Sequence, residues 1–143
     1  MSKVIGMIRY MLDTNTVSLL LRQHPEVRRR VLAAPMAALR LSVVTEAELL
    51  FGLAKRPAAR KLALAVRELL RRVEVVAWER SAAARYGALR ARLERNGRTL
   101  GPLDLLIAAH ALDRQAVLVT NDRAFGMVPD LELADWTVPD PAH

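Results

Sequence analysis

The sequence predicts an α/β fold with a mainly parallel sheet of four to five strands. Short apolar runs at residues 8–12, 39–44, 73–76 and 116–120 alternate with longer segments of helical periodicity, the pattern of strands joined by crossover helices. The 143 residues contain no internal repeat and no low-complexity linker. A chain of this size buries roughly 70% of its unfolded surface around one core, so residues 1–143 read as one domain.

The first run (8–12) ends in Asp13-Thr14-Asn15, a buried strand entering a helix N-terminus over residues 14–22. The apolar lead-in before it, MSKVIGMIRYMLD, is broken by Arg9 and closed by Asp13 without a small-residue cleavage site. After Pro25, Val27 and Val31 lie at helical spacing beside Arg28, Arg29 and Arg30, and Pro35 closes that basic helix. The second strand (39–44) leads to a helix opened by Thr45 and running toward Lys55. Pro57 starts the next, whose stripe of Leu62, Val66, Leu69 and Leu70 alternates with Arg60, Lys61, Arg67, Arg71 and Arg72. A short third strand (73–76) precedes a long helix at 81–94. Asn96-Gly97 and Gly101-Pro102 separate that helix from the one carrying LDLLIAAHALDR. A fourth strand (116–120) runs into a turn at Asn121-Asp122, and residues 131–133 form a fifth, edge strand before Trp136.

Composition excludes several classes. A hydrophobic fraction of 52% is too apolar for a disordered chain, and no apolar run reaches the roughly 20 residues needed to span a bilayer. Without cysteine there is neither a disulfide framework nor a thiolate metal site, and a cytoplasmic location is expected. The net charge of +7 suits a polyanion such as nucleic acid, or an acidic protein. Lys3, Lys55 and Lys61 are the only lysines among 22 basic residues.

Against that basic background four acids sit at the edges of apolar segments: Asp13, Glu48, Asp104 and Asp122. Each alone reads as a helix cap or first-turn acid, and Thr45-Glu46-Ala47-Glu48 matches a capping box. In parallel α/β folds ligands bind beyond the carboxyl ends of the strands, which is where all four acids fall. Brought together, they would raise one another's pKa values unless a cation neutralised them, and Mg²⁺ or Mn²⁺ favours such oxygen donors. Of the histidines, His110 in IAAHAL fits a core or flank residue better than a general base, while His24 and His143 belong to no motif.

In order along the chain, MLDTN, SVVTEAELLFG, GPLDLLIAAHAL and LVTNDRAF resemble the motifs of PIN-domain ribonucleases, most closely VapC-type toxins of toxin–antitoxin pairs. The resemblance runs from about Ile8 to Trp136 and includes the closing LELADW. It implies a three-layer α/β/α domain and metal-dependent hydrolysis of RNA. It also implies a Mg²⁺ or Mn²⁺ cofactor, a cognate antitoxin as inhibitor and a homodimer. The family's acids fall on Asp13, Glu48, Asp104 and Asp122 as metal-binding and catalytic residues, with Asn15 and Thr120 orienting carboxylates or water. A further acid that many relatives carry two positions after the fourth is here Ala124. Two other readings compete. A phosphoaspartyl phosphatase would want an acid at Asn15 and a late lysine, and has neither. A non-catalytic RNA- or partner-binding module would use the acids only as caps.

Overall fold

The computed structural model describes residues 7–139. Residues 1–6 of the lead-in, and His143, lie outside them. Five strands, β1 (Tyr10–Leu12), β2 (Leu39–Ser42), β3 (Glu74–Val76), β4 (Val117–Val119) and β5 (Leu133–Ala134), form one sheet in the order β3-β2-β1-β4-β5. Every neighbouring pair is parallel, so all carboxyl ends lie along one edge. The chain moves outward from β1 to β2 and β3, then resumes on the other side of β1 with β4. The switch point therefore falls between β1 and β4.

Helices cover both faces because side chains alternate along each strand. Met11, Val76 and Leu118 point into one core with Leu89 and Leu93 of α5 (Arg80–Arg95), Leu105 and Ile107 of α6 (Pro102–Asp113), and Phe125. Leu12, Leu39, Leu41 and Val119 point into the other. There they meet Val17 of α1 (Thr14–Leu21), Val27 of α2 (Pro25–Ala33), Leu49 of α3 (Val43–Ala54), Val66 of α4 (Arg60–Arg72) and Trp136. This is the three-layer α/β/α arrangement. Trp136 closes the second core, its ring 5.0 Å from that of Tyr10.

Several boundaries differ from the sequence reading, for physical reasons. β2 stops at Ser42 and α3 begins at Val43, because the Ser42 hydroxyl accepts from the Val44 amide and caps the helix. The β-branched pair Val43-Val44 looks like strand but lies in the first turn. Thr45 is therefore inside the helix and not its cap, and the capping box with Glu48 does not form. Pro57 lies in a turn, and α4 starts only at Arg60. β1 is shorter than the run at 8–12, and β5 is Leu133–Ala134, paired to Leu118 and Val119. At the end of α5, Gly97 takes φ 67°, and Arg98 and Gly97 donate to the Leu93 and Glu94 carbonyls. That left-handed stop turns the chain back toward Pro102 and the start of α6.

Candidate active site

Each predicted acid is placed by a local device at the carboxyl edge of the sheet. Asp13 follows β1, its amide donating to the Val119 carbonyl at 3.1 Å, and its Oδ1 caps α1 by accepting from Thr16 N at 2.7 Å. It is 4% exposed. Asp122 follows β4; its amide donates to Thr120 Oγ1 at 3.0 Å and its Oδ1 accepts from Ala124 N at 2.9 Å, capping the 3₁₀ turn Arg123–Met127. Asp104 lies in the first turn of α6, behind Gly101-Pro102. Glu48 projects from α3, where Thr14 donates to its Oε1 at 2.5 Å across 34 residues of sequence.

Electrostatics bring the four together. The carboxyl of Asp104 is held above its ordinary range by burial, and then by the charges of Asp122, Asp13 and Glu48 in that order. Burial also raises Asp13, with Asp122 adding to the rise, while hydrogen bonding from Thr120 and Thr16 opposes it. Among the described residues no lysine or arginine forms an ion pair with any of these acids. The capping roles of Asp13 and Asp122 are real, yet caps alone do not account for mutual repulsion among acids from four separate segments.

The donor set is all oxygen and carries uncompensated negative charge, which fits a hard divalent cation. Among the described residues, no three Asp, Glu or His side chains stand as a ready-made ligand cage. That is compatible with an ion such as Mg²⁺, which usually takes one or two carboxylates and keeps several waters.

Thr120 contacts both neighbouring acids, as described. Asn15 instead donates from Nδ2 to Asn121 Oδ1 at 3.0 Å, tying α1 to the loop that carries Asp122. Thr14 has the position beside Glu48 that motif reading did not assign; it also lies 3.4 Å from Thr45 Oγ1. A partner 34 residues away leaves no local signal in the sequence.

Beside Glu48 a groove of about 500 Å³ opens between α1, α3 and α4. Leu21, Leu49, Leu53, Leu62 and Val66 line its apolar part, and Arg22, Lys55 and Arg56 supply positive charge. These three cations were not singled out from sequence. Of the basic residues that were, Arg71 and Arg72 of α4 pair with Glu68 on the exposed face of their own helix. Their charge is thus partly spent locally.

A doubly covered parallel sheet with acids at its switch point defines a class of protein, a three-layer α/β/α domain with an acidic site at the carboxyl edge of its strands. The PIN domain family model matches residues 10–131, and the chain belongs to that family. It is similar to the tRNA(fMet)-specific endonuclease VapC of Salmonella typhimurium, with 35% identity over 131 residues, 91% of this chain and 99% of that one. Among solved structures it matches DNA-bound VapBC from Salmonella typhimurium, with a TM-score of 0.85 and 35% identity over 91% of this chain and 99% of that one. VapBC2 from Rickettsia felis bound to a promoter DNA fragment matches with a TM-score of 0.82 and 33% identity, again over 91% and 99%.

Proposed function

We propose that the chain is a metal-dependent endoribonuclease, the toxin of a toxin–antitoxin pair, held inactive by a cognate antitoxin. The observation that carries the nuclease reading is Asp104, whose carboxyl is raised by burial and then by Asp122, Asp13 and Glu48, with no lysine or arginine among the described residues pairing to any of them. The toxin role rests on similarity to VapC ribonucleases and to VapBC complexes.

Asp13 and Asp104 would hold a Mg²⁺ or Mn²⁺ ion, with Glu48 and Asp122 completing the set directly or through water. The bound ion supplies a polarised phosphate, an activated water and stabilisation of the leaving oxygen. Thr14 fixes the rotamer of Glu48, and Thr120 fixes the backbone and side chain around Asp122 and Asp13. Arg22, Lys55 and Arg56 place positive charge beside the cluster, where substrate phosphates or an acidic inhibitor segment would lie. An apolar groove ending at Glu48 suits an antitoxin segment that covers the site. The family reading adds a homodimer.

The test is cleavage of RNA with Mn²⁺ or Mg²⁺ against the same reaction in EDTA, for the wild type and for Asp13→Asn. Cleavage that needs the metal and disappears in the folded variant supports the reading. Absence of cleavage and of any metal-induced rise in Tm in the wild type leaves a binding module as the better account.

A further inference from the structure

His110 is wholly buried in α6, and both of its ring nitrogens have partners far away in sequence. Nε2 lies 3.0 Å from the Ala77 carbonyl. A carbonyl oxygen only accepts, so Nε2 carries the proton and donates. Nδ1 is then the bare nitrogen, and the Ser42 hydroxyl at 2.7 Å donates to it. Ser42 Oγ in turn accepts from Val44 N at 3.0 Å. The result is an ordered series of donors, from the Val44 amide through Ser42 and His110 to the Ala77 carbonyl.

This series joins three pieces of the site's frame: the N-cap of α3, which carries Glu48; α6, which carries Asp104; and the chain leaving β3. Two further bonds hold the same segment against α6, from Trp78 Nε1 to the Leu106 carbonyl at 3.2 Å and from Ser81 to Asp113 at 2.8 Å. With both nitrogens engaged, the imidazole has none left to act as a base. A buried apolar side chain could fill the space without needing two directional partners, whereas an imidazole costs desolvation unless both are met.

We propose that His110 is a positioning residue that sets α3 against α6, and so fixes the separation of Glu48 and Asp104 across the cation site. This rests on the nuclease reading above. The bond to Ser42 carries the effect, because Ser42 is the last residue of β2 and the cap of α3.

Two near-isosteric variants separate the two bonds. His110→Asn can present an amide oxygen near the Nδ1 position and keep the Ser42 bond; His110→Gln can present an amide nitrogen near the Nε2 position and keep the Ala77 bond. For each, kcat and KM for RNA and the Mn²⁺ concentration giving half the rise in Tm are measured well below the unfolding temperature. His110→Gln is expected to lower kcat by about 10–100-fold and raise the Mn²⁺ midpoint comparably, with KM unchanged, as loss of a ligand-orienting partner does. His110→Asn is expected to stay close to the wild type. Should His110→Gln not fold, Ser42→Ala removes the same bond from the other side and must give the same signature. Folded His110→Gln and Ser42→Ala proteins with wild-type kcat and midpoint would overturn the proposal, as would equal losses in Asn and Gln. A wild type without metal response or cleavage would instead remove the nuclease reading itself.

Discussion

Thr14 donates its hydroxyl to Glu48 at 2.5 Å, so the residue next to the first acid of the cluster holds the second in place. Thr14→Val keeps the shape of the side chain and removes the donor. It is expected to lower RNA cleavage by about 10–100-fold, as loss of a partner that orients a ligand does, while circular dichroism is unchanged. Thr14→Ser should retain most activity. Equal loss in both variants would mean that the methyl group, not the hydroxyl, matters.

Asp13 and Asp104 are held above their ordinary value of 3.8 in the fold. Their contribution to stability is therefore fully present below pH 3.8 and is lost as pH rises through the raised folded values. Protein in EDTA is accordingly expected to carry a destabilising contribution from this cluster at neutral pH. Asp104→Asn should raise Tm there, and it should also reduce the rise that Mn²⁺ produces. A Tm for this variant below that of the wild type in EDTA would contradict the repulsion argument.

His110 behaves in the opposite sense. Burial holds it below the ordinary 6.5, opposed by the Ala77 bond, with Arg114 lowering it and Asp113 and Glu79 raising it more weakly. Its contribution is present above pH 6.5 and is lost as pH falls through the lower folded value. Urea titrations of wild type and His110→Gln across that range should show a smaller acid-side loss in the variant. Parallel curves would show that the acid limb belongs to other groups.

The groove beside Glu48 gives a prediction about inhibition. Leu62→Glu places a charge among its apolar lining and is expected to weaken antitoxin binding by about 2 kcal/mol, or roughly 30-fold, if the segment packs there. RNA cleavage by the free variant should persist. Calorimetry with the purified antitoxin measures the first, and a wild-type affinity would move the inhibitor to another surface.

The placement of the four candidate acids at one edge of the sheet was legible because they follow elements with clear local signatures. Asp13 comes directly after the apolar run that forms β1, Asp122 follows β4 after Thr120-Asn121, and Asp104 follows Gly101-Pro102. Glu48 was read in the right helix but with the wrong neighbour. Val43-Val44 favours strand locally, and the competing cap at Ser42 is decided by a hydrogen bond that periodicity does not reveal. Asn15, expected to orient carboxylates or water, makes its bond to Asn121 instead. The burial of His110 followed from its apolar helix. Its partners, 68 and 33 residues distant, are products of the sheet order and were beyond any local reading.

The four acids come from four different segments, with the last, Asp122, supplied only after β4 has paired beside β1. No stretch of the chain carries the cluster by itself. A polypeptide in which β4 has not yet formed therefore lacks the assembled cluster. Whatever work the charges of this cluster do therefore waits on the pairing of β4 with β1, and an unfolded or half-made sheet presents the acids only one or two at a time.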